Sequence, residues 1–345
     1  MTSIAEQDRR ASESVVHRLV RGLERALGFV LRAGLVSWAA LAIHYSNLPW
    51  AWVRTALAVA FAGFGIWALW IARTRWAHMA FAVVFLLVLI WWISIPPSHD
   101  RLWRPDVAVM PRAVIDGDRV RIMGVRNFEY RSVTDFTPRY ETREVLLSHL
   151  TGVDLYISYW MPGPIGHTFV SFTFDNAPPL SISIEARPES HEGYAPVASL
   201  FKQFELIYVV GDERDIVGVR TSFRGEDVHL FHVATSPRFA RARFGAYLER
   251  INELADRPEF YHLLSNSCTV NIVRYARNVG DGDGRPDFRH YLNGLFDSFL
   301  YDIGLIDTTL PLGELRRRSW INEAARTADH APDFSERIRQ GLPQA

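Results

Sequence analysis

One cysteine, Cys268, and one lysine, Lys202, are present in a chain of 345 residues. A lone cysteine excludes an internal disulfide, and in an exported domain an unpaired thiol is a liability unless it has a use. The near absence of lysine leaves the positive charge to arginine, which reads as a GC-rich coding bias and not as a site. Net charge is absent too: Lys+Arg 38 balances Asp+Glu 38, which removes the overall attraction that a nucleic-acid binder would use. Charge also nearly vanishes between Ala26 and Ile95, where Leu, Ala, Val, Phe and Trp accumulate. Composition therefore divides the chain into an apolar N-terminal part and a soluble domain of ordinary size. No internal repeat or low-complexity stretch is visible.

A lipid-spanning helix needs about 20 mostly apolar residues. Residues 26–45, 50–72 and 77–95 meet that requirement, with Arg32 early enough in the first to reach the near interface. Trp50, Trp52, Trp70, Trp76, Trp91 and Trp92 fall towards the ends of these stretches, and Pro96 and Pro97 stop the third. Arg9, Arg10, Arg18, Arg21 and Arg25 precede the first, and Arg73 and Arg75 separate the second from the third, while His44 to Pro49 carries no Lys or Arg. The positive-inside rule then sets residues 1–25 in the cytoplasm of a bacterium and the chain beyond Pro97 on the periplasmic side of its inner membrane. A cleaved signal peptide is disfavoured, because the stretch starts late, lacks a small-residue cleavage site and is followed by two more.

After a linker at 97–111, the outer domain is expected over 112–311, with a helical tail at 312–345. Arg112 to Ile122 alternates around Gly117-Asp118 and reads as a hairpin. Alternation marks strands at 153–159, 168–174 and 180–185, the last two separated by Asp175 to Pro179, with further strands at 206–210, 216–219 and 228–233. The sheet is expected to be antiparallel. Ser236-Pro237 opens a helix whose apolar face runs from Phe239 to Leu254, and a second helix starts near Cys268. The fold class is α+β.

Ser265-Asn266-Ser267 are capping residue types, so Cys268 falls in the first turn of its helix, where free N–H groups and the helix dipole favour a thiolate. Such a thiolate is a nucleophile; the bland alternative is a small buried side chain. His167 is the best base: it follows Pro162-Gly163-Pro164-Ile165-Gly166 and opens a strand. Pairing Phe174 with Leu180 would set Glu185 diagonal to His167 on one sheet face, able to orient the imidazole as a third member. His191, His229, His232 and His262 compete, the last because it lies close to Cys268 in sequence. Asn266 and Tyr159 are candidates for positioning or for an oxyanion, although capping explains Asn266 equally well. Asp281, Asp283 and Asp287 fail the calcium-loop spacing and read as a solvated turn, as Arg316-Arg317-Arg318 reads as a solvated helix face. No metal or organic cofactor is indicated.

Histidine on a strand before cysteine on a helix reverses the papain and NlpC/P60 order and resembles their circularly permuted relatives. More closely, Val125 to Arg131, Gly166-His167-Thr168, Glu205 to Tyr208 and Asn266 to Ile272 resemble the periplasmic domain of the Lnb-type lipoprotein N-acyltransferases, over roughly 106–279. The resemblance implies that Cys268 takes an acyl chain from a phospholipid as a thioester, with His167 as base, and passes it to the amino terminus of a lipoprotein. In the named members the membrane helices follow this domain, whereas here they precede it. A cysteine peptidase or amidase acting on peptidoglycan peptides would use the same two residues, and a non-catalytic envelope scaffold would use neither.

Overall fold

A computed structural model describes residues 2–280, 285–329 and 331–344, with side chains described from residue 17. The chain forms two compact units, one of residues 1–96 with 201–203 and one of residues 97–200 with 204–345.

The first unit consists of α1 (Thr2–His44), α2 (Ala51–Ile66) and α3 (Arg75–Ser94), with the π-helical turn Trp67–Ala72 continuing α2. Three stretches, His17–His44, Ala51–Ala72 and Arg75–Ser94, are long and apolar enough to cross a membrane. The first starts earlier than composition suggested, because α1 runs unbroken through the arginine-rich segment. Small and aromatic side chains, among them Ala39, Ala58, Ala68, Phe61 and Phe81, form the contact between the helices, as expected where backbones must approach without help from water. Thr74 ends the tight reversal after Arg73 by accepting a hydrogen bond from the Ala77 N–H at 3.2 Å.

The second unit is built on an eight-stranded sheet. Its strands are β1 (Arg112–Asp116), β2 (Arg119–Arg126), β5 (Tyr140–Leu146), β6 (Leu150–Tyr159), β7 (His167–Phe174), β8 (Leu180–Arg187), β9 (Glu205–Asp212) and β10 (Asp227–His232); β3 (Glu129–Tyr130) and β4 (Phe136–Thr137) pair separately. The order is β1-β2-β9-β8-β7-β6-β10, with β5 also on β2. Pairing is antiparallel as expected, except for one parallel contact, Arg126 with Gly211. The hairpin expected around Gly117-Asp118 forms, with Gly117 at φ +59°. The stretch 216–219 is not a strand: α4 (Glu213–Gly218) and a π-helical turn, Val219–Arg224, occupy it. Its apolar run is helical because Asp212 caps it through the Arg214 N–H and Ile216 and Val217 enter the core.

Helices cover both faces of the sheet. On one, α5 (Pro237–Asp256) and α6 (Cys268–Asn278) pack through Phe244 on Phe172 and Tyr275 on Tyr208. On the other, Tyr156, Phe169 and Leu230 share a core with α4 and the C-terminal segment. That segment holds α8 (Leu312–Arg318), α9 (Asn322–Thr327) and α10 (Phe334–Arg337), and it buries Ile321, Ala325, Phe334 and Ile338, whereas α7 (Phe296–Asp302) lies on the first face, where Phe296 and Phe299 meet Leu155, Val170 and Ile272. The expected tail is thus part of the domain. So is the expected linker: Trp103 and Val107 are buried, and the carbonyl oxygens of Asp106 and Val107 accept hydrogen bonds from Arg126 and Arg187. Arg316 is committed to the buried Asp297, and Arg317 and Arg318 pair with Glu314. Asp281 and Asp283 lie outside the described residues, whereas Asp287 forks with Arg289.

The fully buried Arg126–Asp215 pair joins this core to the 97–111 segment, with Asp215 also accepting from the Phe128 N–H at 2.7 Å. Removing one partner of such a pair strands a buried charge, which costs roughly 3–5 kcal/mol. Asp215→Ala is therefore expected to lower the thermal and urea unfolding midpoints of the detergent-solubilised chain by that order of stability. Unchanged midpoints would show that the pair does not hold the domain together.

Candidate active site

The site lies where the first residue of β7 meets the first residue of α6. Gly166 brings the chain past β6: a Cβ there would lie 2.9 Å from the Ser158 carbonyl oxygen, so the entry before His167 admits only glycine without displacement. Thr168 and Thr269, the next residues after His167 and Cys268, share a buried hydrogen bond of 2.8 Å that ties strand to helix. This bond fixes the imidazole and the thiol against each other.

The ring Nε2 of His167 lies 2.7 Å from Ser183 Oγ, and the Ser183 hydroxyl donates to Glu185 Oε1, also at 2.7 Å. Because serine has a single proton and gives it to the carboxylate, Nε2–H must be the donor to Ser183. That leaves Nδ1 as the ring nitrogen for the thiol. Glu185 stands 3.9 Å from the ring, so the serine relays its influence. Burial pushes the Glu185 carboxyl up, but the charges of Arg220, His167 and Arg126 and the Ser183 hydrogen bond outweigh it and hold the group ionised well below the usual carboxylate range. Arg220, on the π-helical turn, donates to Glu185 at 2.8 Å and to the Ile216 carbonyl at 2.6 Å, with its guanidinium 4.9 Å above the Phe169 ring. Residues of π turns often serve functional sites, because the extra residue re-aims a side chain.

Cys268 is 1% exposed. Burial raises its thiol, but the charge of His167 and hydrogen bonds from His167 and Thr168 overcome this and bring it down to about 7. Asn293 completes the surroundings: its amide nitrogen is 3.0 Å from Sγ and 3.2 Å from the Gly166 carbonyl oxygen. The turn that carries it is fastened on both sides. Tyr159 donates its hydroxyl to the Gly294 carbonyl at 2.8 Å, and the Gly294 N–H donates to Pro164 at 3.0 Å. A Cβ on Gly294 would come within 2.8 Å of the Gly163 carbonyl oxygen, so only glycine fits there. A thiolate present at neutral pH, an imidazole beside it and an amide donor at the sulfur can together attack a carbonyl and stabilise the resulting oxyanion.

The structure brings Cys268, His167 and Glu185 together. The expected register is off by two residues: Phe172, not Phe174, faces Leu180, and Phe169 faces Ser183. A shift of two preserves the sheet face, so Glu185 keeps its side and moves from diagonal to opposite His167. Asn266 is not at the thiol; its amide points to Glu259 and Phe260, both at 3.4 Å, and its oxygen accepts from Asn271. Nor does it cap α6, since Ser267 holds that position and makes no side-chain cap bond. Tyr159 acts on the Asn293 turn through Gly294. The other histidines are engaged elsewhere: His229 with the Arg316 carbonyl, His232 with Asp154, His262 with Ser265, and His191 beside Glu189. Sequence reasoning missed Ser183, Arg220 and Asn293. Correct pairing would have placed Ser183 beside the histidine, but Asn293-Gly294 carries only the mark of a turn. Among the described residues no group of three or more His, Cys, Asp or Glu is placed to hold a metal ion.

This geometry defines a histidine-paired thiol site on an α+β domain that follows three helices long and apolar enough to cross a membrane. Residues 136–294 match the family of the Lnb N-terminal periplasmic domain, and this region belongs to the Lnb-type family. The matched span contains every residue from His167 to Asn293 described above. Neither the curated proteins nor the solved structures gave a match.

If Glu185, through Ser183, supports the influence of His167 that lowers the thiol, Glu185→Gln should raise the thiol by about one unit. The thiolate fraction at pH 6 would then fall about tenfold. Iodoacetamide alkylation of Cys268 at that pH should slow to match, and an unchanged rate would leave Glu185 without a part in activating the sulfur.

Proposed function

We propose that this protein is a membrane-anchored periplasmic acyltransferase that carries its acyl group on Cys268. The observation that supports this reading most is the company the thiol keeps along α6. One turn from Cys268, Ile272 begins the lining of an apolar pocket shared with Leu155, Val170, Val273, Phe296 and Phe299. The apolar lining suits hydrocarbon, whereas a peptidoglycan stem peptide calls for a polar cleft. Membership of the Lnb-type family supports the same reading.

In the first half-reaction the Cys268 thiolate attacks an ester carbonyl of a phospholipid. The Asn293 amide faces the developing oxyanion, and His167 gives its proton to the departing lysophospholipid alkoxide as the C–O bond breaks. The product is a thioester on Cys268. In the second, an amine attacks the thioester carbonyl, His167 takes the amine proton, the C–S bond breaks and an amide leaves with the thiolate restored. Ser183 and Glu185 hold the ring in the tautomer that both halves need. The N-terminal amine of a lipoprotein is the proposed acceptor. The proposed orientation has the N-terminus in the cytoplasm of a bacterium and the domain on the periplasmic side of its inner membrane, in line with the arginine distribution.

Intact-protein mass spectrometry of the detergent-purified chain after incubation with phospholipid tests the first half-reaction. The wild type should gain one acyl-sized, hydroxylamine-labile mass, and Cys268→Ser and His167→Ala should not. A readily alkylated thiol that never acquires the adduct would point to the peptidase, and an inert thiol would point to the scaffold.

A further inference from the structure

Large apolar side chains stand in solvent on the segments that lead to the buried thiol. Trp160, Met161 and Ile165 are 47%, 56% and 52% exposed, Leu264 is 53% exposed and Tyr291 is 54% exposed. Isolated exposed apolar residues are ordinary, but a contiguous group marks a surface that meets something apolar. These residues belong to segments that converge on Cys268. The loop holding Trp160 to Ile165 is bound to the Asn293-Gly294 turn through Pro164 and Gly166, Tyr291 lies two residues before Asn293, and Leu264 lies four before Cys268. From Tyr159 to Gly166 there is no charged residue.

Positive charge follows on the helix that Cys268 opens. Arg274 and Arg277 are exposed on α6, about 9 and 14 Å along the helix from Cys268 at the usual rise. Arg274 donates to Asn271 and to the Ser265 carbonyl, and neither arginine pairs with a carboxylate among the described residues. Apolar segments rich in Trp, Tyr, Met and Leu, together with arginines that meet no carboxylate among the described residues, are complementary to a layer of hydrocarbon beneath anionic phosphates. The chain itself limits what can occupy it, since the polypeptide enters this domain at Pro97, three residues after the third membrane-spanning stretch ends at Ser94.

We infer that the rim around Cys268 is a docking surface for a phospholipid bilayer, with its apolar side chains entering between the headgroups and Arg274 and Arg277 meeting the phosphates. Docking acts on the same loops that cover the sulfur. The segment bearing Trp160, Met161 and Ile165 and the turn bearing Asn293 are tied to each other, because the Gly294 N–H donates to the Pro164 carbonyl and the Asn293 amide to the Gly166 carbonyl. Contact with lipid therefore exposes the thiol where acyl chains are available.

The test uses the full chain in Cys268→Ser form, which cannot form a thioester, so its outcome is independent of acyl transfer. Single cysteines at Met161→Cys, Tyr291→Cys and, as control, Glu323→Cys on α9 are labelled with a nitrobenzoxadiazole dye. The protein is reconstituted in phosphatidylethanolamine and phosphatidylglycerol vesicles containing doxyl-labelled lipid. Dyes at 161 and 291 are expected to emit at shorter wavelength and to be quenched several-fold more than the dye at 323, with charge reversal at Arg274 and Arg277 reducing the difference. Equal quenching at all three positions would overturn the inference. A blue shift that persists in lipid-free detergent and grows with protein concentration would also overturn it, by assigning the rim to a second copy of the chain.

Discussion

A carboxylate kept charged inside the domain is the constraint around which the site is arranged. Glu185 cannot remain ionised in the interior without compensation, because an uncompensated buried charge costs several kcal/mol. Arg220 and the Ser183 hydroxyl supply that compensation, and each fixes something further. Arg220 must be delivered by the π-helical turn and is held over Phe169, which also stacks on Tyr156 at 4.7 Å. Ser183, which faces Phe169 on β7, must set its hydroxyl between His167 and Glu185, which gives His167 one hydrogen-bond partner and one tautomer. The state of the thiol is thus set from the far end of a chain of contacts running Arg220, Glu185, Ser183, His167, Cys268.

The surroundings of the sulfur carry the opposite tension. A buried thiol resists ionisation, and the first turn of a helix, a neighbouring imidazole and an amide donor together reverse that resistance. Such a site is poised and closed at once, its sulfur only 1% exposed. The fastening of the Asn293 turn by Tyr159 and Pro164 accounts for the closure, and the apolar rim outside it accounts for what would relieve it. Packing and chemistry share the same few residues: Thr168 and Thr269 keep strand and helix in register, so the position of the nucleophile is a property of the core.

Much of this was readable in the residues because single positions carried strong signals. One cysteine behind capping residues, one histidine behind a glycine-rich entry, and apolar runs long enough to span lipid needed no tertiary information. Glu185 survived a register error because strand geometry has a period of two, and a slip of two residues keeps the face. The failures share a cause. Residues 216–219 form a short apolar run like a buried strand, yet the core that takes Ile216 and Val217 and the Asp212 cap made them helical. Arg220 then acquired its role from a π turn that no local pattern announces. Asn293 reaches Cys268 across 25 residues of chain, and a turn dipeptide says nothing of what lies above it. The 97–111 segment and the C-terminal helices looked peripheral because their apolar residues are sparse, although each buried one, such as Val107 or Ile338, fills a specific place.

The central claim is that the fold itself makes this sulfur ionise near neutrality, and the chain's single cysteine allows it to be measured directly. Thiolate absorbance near 240 nm, recorded as a pH titration of the wild type minus Cys268→Ser, reports only this group. The account predicts a midpoint near pH 7, well below that of an ordinary cysteine. A midpoint at 8.5 or above would contradict it, leaving Cys268 a buried thiol that His167 adjoins without activating.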